Sequence, residues 1–337
     1  MAKSRWRRVA TSVLSGLATA ALVVFLPRAV GATWAEVGSI LGRVSAGALV
    51  VLAVVWIGGL WAHSFVLAAS LPGLTKRRGL TLSLTGSAVA NVLPLGGAAG
   101  TGLNFAMVRR WGFSRAAFGG FLAVTTLLNI VSKLGVIAVA LALVPILHSA
   151  SAFGAVSLVF VPVPLAVVAV VWMLADEKVA AGIGTALDRL LRRKPGRLAG
   201  RIPDLRRSIL RVLRHGWRPM TSGMVAYLAL QLVLLWLCFH VLGISLGLPV
   251  LFTALAVERL LTLVPITPGA AGVVEVGTTA ALVALGGAPA GVAAGFLLFR
   301  GFTYLMEIPV GGVLLVGWLG NQHRVRRAAA ELGAVSG

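Results

Sequence analysis

The sequence predicts an all-α polytopic membrane protein with six full spans plus two re-entrant broken-helix hairpins in inverted-topology repeats. Three observations predict it. The 337 residues are 58% hydrophobic and 12% charged, with a mean hydropathy of +0.97, which excludes a soluble globular domain. Two of the long apolar stretches are interrupted by glycine and proline. The basic residues cluster between apolar stretches in a pattern that fixes which ends share a side of the bilayer. No long polar segment remains, so residues 1–337 are read as a single transmembrane domain.

Six stretches are long enough to cross a ~30 Å hydrocarbon core as helices: about Val9–Leu26, Val44–Ser70, Ala116–Leu147, Ala155–Ala175, Met220–Leu242 and Gly291–Leu319. The first follows Lys3, Arg5, Arg7 and Arg8. It is long for a signal-peptide core and no Ala-x-Ala site follows, so an uncleaved span is expected. Two further stretches, Leu80–Val108 and Pro249–Gly286, contain the breaks. If both re-enter, leaving on the side they came from, 25 of the 30 basic residues lie on the inner side and only Arg28 and Arg43 outside. If both cross once, the better orientation gives 17 inside and 10 outside. The first division follows the positive-inside rule far better. It makes the hairpins enter from opposite faces, in repeat 1 at about 44–147 and repeat 2 at about 220–319. The N- and C-termini are then cytoplasmic.

The first break reads Asn91-Val-Leu-Pro94-Leu-Gly96-Gly97-Ala-Ala-Gly100, the second Pro265-Ile-Thr-Pro268-Gly269-Ala-Ala-Gly272-Val-Val-Glu275. Paired interrupted segments in two halves of a membrane protein point to a transport site near the midplane. Non-helical backbone at that depth is tolerated only inside protein or beside a wet cavity. The return half-helices, starting near Gly97–Thr101 and Pro268–Gly272, would aim free N–H groups and positive dipole ends at the centre, where an anion such as phosphate is favoured.

Six charges fall at membrane depth: Lys133, Arg259, Arg300, Glu258, Glu275 and Glu307. Each costs roughly 2.5–3.5 kcal/mol at a helix centre on insertion scales, so such residues face an interior and mark pathways. Arg259, Arg300 and Lys133 are expected to meet an anionic headgroup, with Glu275 pairing with an arginine or carrying a proton. Tyr304 lies between Arg300 and Glu307 on one helix face, and Asn129 is one turn from Lys133. The candidate substrate-binding residues are therefore Asn91, Pro94, Gly96, Gly97, Gly100, Lys133, Glu258, Arg259, Pro268, Gly269, Gly272, Glu275, Arg300 and Tyr304.

Residues 176–219 carry twelve basic and four acidic side chains. Within this basic cytoplasmic loop, Ile202, Leu205, Ile209, Val212 and Leu213 recur at helical spacing, which predicts an amphipathic helix on the inner leaflet. Membrane orientation uses this charge fully, so nucleic acid is not an expected partner. The lone Cys238 reads as a buried core residue. His63, His148, His215 and His240 show no metal-ligand spacing, and no nucleophile–base pair or nucleotide fingerprint is visible. No cofactor, metal or catalytic group is expected.

The two break motifs, the following Arg109 and Gly112, and Arg300-x-x-Thr-Tyr304 together resemble the membrane region of lysylphosphatidylglycerol synthases over about residues 9–320. The resemblance implies a flippase-like fold in the bacterial inner membrane. In the synthases that region moves an aminoacylated lipid outward, while a separate cytosolic domain attaches the lysine. This chain is expected to be the translocating part without the synthase. Glu275 and Arg300 match the family's second-half acidic and basic positions. Family members often carry charges on the span after the first motif, where this chain offers only Asn129 and Lys133.

The leading expectation is a lipid translocase acting on an anionic or zwitterionic phospholipid or a polyprenyl-phosphate-linked lipid. The alternatives are a membrane-embedded transferase using a lipid-linked donor, and an accessory subunit that docks a cytosolic lipid-modifying enzyme. Membrane lipids are the expected partners, and a homo-oligomer is compatible with the pattern.

Overall fold

The computed structural model describes residues 24–93, 96–143, 172, 176–190, 201–263 and 267–335. The described residues form helices and no strand. In chain order these are α1 (Trp34–Leu41), α2 (Ala46–Ser70), α3 (Lys76–Val92), α4 (Gly96–Arg110), α5 (Arg115–Leu143), α6 (Glu177–Leu190), α7 (Arg201–His240), α8 (Leu248–Leu261), α9 (Val273–Ala284), α10 (Pro289–Arg300) and α11 (Glu307–Val335). Four helical stretches, Ala46–Ser70, Arg115–Ala142, Gly216–His240 and Pro289–Gln322, are long and apolar enough to cross a membrane. The expected spans at 9–26 and 155–175 lie largely outside the described residues.

Local chemistry sets the helix starts. Ser45 and Thr75 cap α2 and α3, accepting from the amides of Ala48 (3.2 Å) and Arg78 (3.3 Å). Pro249 and Pro289 occupy the first turns of α8 and α10, where the missing N–H costs nothing.

The first break is a helical hairpin. Thr85 meets Met107, Gly86 meets Asn104 and Gly100, and Ala90 meets Gly96, so α3 and α4 run antiparallel. Gly96 and Gly100 permit this, because a Cβ on Gly100 would stand 2.6 Å from the Gly86 carbonyl oxygen. With 17 and 15 residues, the two arms are about 25 and 22 Å long at ~1.5 Å per residue. Neither reaches across a ~30 Å core. Both open at one end of the molecule, the basic end, where Arg78 stacks on Trp111 (5.1 Å) and Arg110 on Trp318 (5.3 Å). The second break forms a hairpin of α8 and α9, 14 and 12 residues long, also too short to cross. It opens at the opposite end, where Val283 packs with the Leu242, Ala293 and Ala294 cluster.

α2 and α7 form a long antiparallel pair. Gly223 lies against Ala62, Phe65 and Val66, and Gly59 against Tyr227 and Leu230. α3 packs just as closely on α11, where a Cβ at Gly311 would fall 2.1 Å from the Leu84 carbonyl oxygen. One large core, including Trp56, Leu134, Leu235, Cys238, Phe239, Leu255 and Phe296, joins α2, α5, α7, α8 and α10. Cys238 is free and fully buried there.

The segment 201–219 differs from its expected form. It is continuous with the apolar helix that follows, giving 40 residues in α7, about 60 Å at ~1.5 Å per residue and twice the ~30 Å core. Ile209 and Val212 of the amphipathic stripe cluster with Val124, Leu127 and Met220. These two stripe residues thus pack against α5 and against Met220 further along α7.

Candidate functional site

The tips of the two hairpins meet. The Asn91 side-chain amide donates to the Tyr304 carbonyl (3.2 Å), and the Tyr304 hydroxyl donates to the Asn91 carbonyl (2.9 Å). Gly269 sits against both: a Cβ there would fall 2.3 Å from the Tyr304 ring and 3.0 Å from the Asn91 Oδ1. Pro94 and Pro265 lie outside the described residues, and Pro268 opens the short turn Pro268–Ala270. Gly269 and Gly272 adopt φ of +57° and +84°, a region glycine enters without steric cost. These two turns let the chain reverse between α8 and α9.

A buried clamp fixes the second tip. Glu275 and Arg300 are 4% and 7% exposed. Arg300 Nε donates to Glu275 Oε1 at 2.5 Å, and the Gly272 amide donates to Glu275 Oε2 at 2.5 Å. Arg300 also reaches the Gly269 carbonyl (3.4 Å) and lies over the Tyr304 ring at 4.8 Å. The amino end of α9, where an anion was expected, is therefore occupied by the helix's own carboxylate. Between Arg300 and Glu307 the chain makes a single π turn, Gly301–Leu305, closed by Met306 N–H to the Gly301 carbonyl at 2.8 Å. Such turns recur at functional sites.

Beside the tips, α8 packs on α5 and brings Arg259 and Lys133 to one cavity of about 230 Å³. Its wall is polar for a membrane interior: Ser83, Ser87, Asn129, Ser132, Tyr227, Thr262, His63 and Glu307. Arg259 is held from two sides. Glu258 Oε2 lies 3.3 Å from its Nε, and its Nη2 donates to Gln231 Oε1 (3.0 Å), whose amide donates to the Tyr227 hydroxyl (2.8 Å). Among the described residues Lys133 has no ion pair or hydrogen bond. A second cavity of about 270 Å³ adjoins the first and shares His63, Ser83 and Ser87 with it. Gly97 and Gly100 line this second cavity.

The sequence-predicted residues thus separate into two groups. Asn91, Gly269, Gly272, Glu275, Arg300 and Tyr304 form the junction of the tips. Lys133 and Arg259 face the polar cavity, with Glu258 behind Arg259. Arg300, which the sequence grouped with Lys133 and Arg259 at a headgroup, is engaged by the junction. Gly96 serves the packing of α3 on α4, with Ala90 in the place its side chain would take. The sequence reading left Gln231, Tyr227, Ser83, Ser87 and His63 unassigned. Tyr227 and Gln231 did carry a signal, as polar residues one turn apart in an otherwise apolar span.

Helices of membrane-crossing length, buried charges and a polar cavity at the meeting of two broken hairpins define a multi-pass membrane protein. Residues 12–311 match the family model of the lysylphosphatidylglycerol synthase TM region, and the chain belongs to this family. Membership ties the protein to a function involving membrane lipids. Comparison with curated proteins and with solved structures gave no match.

Proposed function

We propose that the protein is a flippase-like translocase that carries a phosphate-bearing lipid headgroup across the bacterial inner membrane, with both termini in the cytoplasm. The observation that carries this reading is the polar cavity with Lys133 and Arg259 on its wall, beside the junction of the two tips. A cation with no protein partner is costly in a membrane interior, and a phosphate would offset that cost for Lys133. Guanidinium and ammonium groups form charge-assisted bonds to phosphate about twice as strong as neutral ones. The directions of the described helices fit two re-entrant hairpins in inverted repeats. α2, the α3–α4 hairpin and α5 are traced in the opposite sense by α7, the α8–α9 hairpin and α10–α11. Repeats of this kind let one half rock against the other around a fixed site.

The test is reconstitution. Liposomes containing the protein and a fluorescent phosphatidylglycerol should expose the inner-leaflet probe to dithionite at least tenfold faster than protein-free liposomes. Equal rates across phosphatidylglycerol, phosphatidylethanolamine and a polyprenyl phosphate, all at the protein-free level, would refute the reading.

A further inference from the structure

We infer that the second cavity is a lateral portal, through which a bilayer lipid enters between α4 and α5 and in which its glycerol and first chain carbons rest. The inference builds on the translocase reading and adds a route and a subsite to it. α4 and α5 are pinned at the basic end by Phe105 against Phe118, with ring centroids 5.2 Å apart. Beyond that contact they are separated by the cavity, lined by Gly97, Thr101 and Asn104 on α4 and by Phe121, Leu122 and Thr125 on α5. Gly97 is exposed and Leu122 is 38% exposed, so the mouth lies on the apolar outer face. At depth the cavity shares Ser83, Ser87 and His63 with the cationic one. From the mouth inward the wall thus passes from a mixed lining, with Phe121 and Leu122 beside Thr101 and Thr125, through Ser83 and Ser87 to the cations. A phospholipid entering headgroup first has that order of polarity.

Two details favour an open portal over a packing flaw. A Cβ at Gly97 would meet nothing within 4 Å, so the glycine serves no close approach, although glycine costs about 1 kcal/mol against alanine inside a helix. Its neighbours Gly96 and Gly100 are the ones pressed onto α3. Asn104 Oδ1 is buried with no hydrogen-bond partner among the described residues, and it lines the same cavity. The backbone glycerol of a diacyl phospholipid has no free hydroxyl, so the missing donor is supplied by water or by a headgroup hydroxyl as it passes through the portal.

The experiment uses full-length protein in liposomes containing phosphatidylglycerol with a diazirine on the first carbons of one chain. Labelled residues are mapped by mass spectrometry after illumination. Wild type should be labelled at Thr101, Phe121 and Leu122. Gly97→Trp, which fills the cavity from a position with open space, should lose at least tenfold of that labelling and of lipid translocation. Gly102→Trp, also with open space but outside the cavity lining, should keep both. Undiminished labelling or translocation in Gly97→Trp would overturn the portal, as would wild-type labelling confined to other helices. Labelling that Gly97→Trp abolishes, in a wild type that moves no lipid, would leave the portal standing and refute the translocase.

Discussion

Removing the Glu275 carboxylate should uncouple the second tip from α10, and the size of the effect follows from what each oxygen holds. Oε1 takes the Arg300 guanidinium and Oε2 takes the Gly272 amide, both at 2.5 Å, in a site where both side chains are under a tenth exposed. In Glu275→Gln one oxygen still accepts from Arg300. The new amide then faces the Gly272 N–H, donor against donor, and the guanidinium loses its counter-charge. Breaking a buried pair from one side costs about 3–5 kcal/mol. The retained Gly269 carbonyl and Tyr304 ring contacts to Arg300 place Glu275→Gln at about 3 kcal/mol, the low end of that range. Arg300→Met should cost about as much, because Glu275 is left charged and buried. Glu275→Gln with Arg300→Met removes both charges and should cost clearly less than the two single losses added together. Tryptophan fluorescence during sodium dodecyl sulfate titration in mixed micelles would measure all of these variants. Single losses under 1 kcal/mol, or strict additivity in the double variant, would refute the clamp.

Other positions give equally direct outcomes. Tyr304→Phe removes the hydroxyl bond to the Asn91 carbonyl and should cost about 1 kcal/mol, read as a lower midpoint in the same titration. Gly311→Leu places a side chain onto the Leu84 carbonyl and should abolish folded protein, whereas Gly312→Leu, with nothing within 4 Å, should express and titrate like wild type. Glu36 caps α1 by accepting from the Thr33 amide (2.8 Å) and hydroxyl (2.9 Å), which holds its carboxyl below the usual glutamate value. Its folded pKa is depressed, so its contribution is present above the unfolded value and lost as pH falls through the folded one. Carbon-13 NMR of labelled Glu36 should show the low midpoint, and Thr33→Ala should raise it.

Much of this architecture was legible in the amino acids. Apolar length located α2, α5 and the apolar part of α7. Pro94, Pro265 and their glycines marked both reversals, and the basic residues at 76–78 and 109–115 showed that α3 and α4 open at one end. The partner of each buried charge was not legible. Lys133, Arg259 and Arg300 look alike in the sequence. Arg300 is taken by Glu275 because the 268–272 turn folds back onto α10, a consequence of docking that no local pattern encodes. The Asn91–Tyr304 pair joins residues 213 positions apart and was invisible for the same reason. The continuity of α7 was not legible either: the basic loop was read to end at 219, whereas the helix runs on through Pro219. The loss of a helix bond there is offset by packing on α2, with Gly216 lying against Ala69.

The central claim is that the Lys133–Arg259 cavity carries the headgroup, and translocation rates in a charge series test it most directly. Lys133→Arg should retain most of the wild-type rate for phosphatidylglycerol in liposomes. Lys133→Gln and Arg259→Gln should each slow it about tenfold or more, the loss of one charge-assisted bond of roughly 1.5–3 kcal/mol, and Lys133→Glu should abolish it. A series in which folded Gln and Glu variants move lipid as fast as wild type would contradict the account.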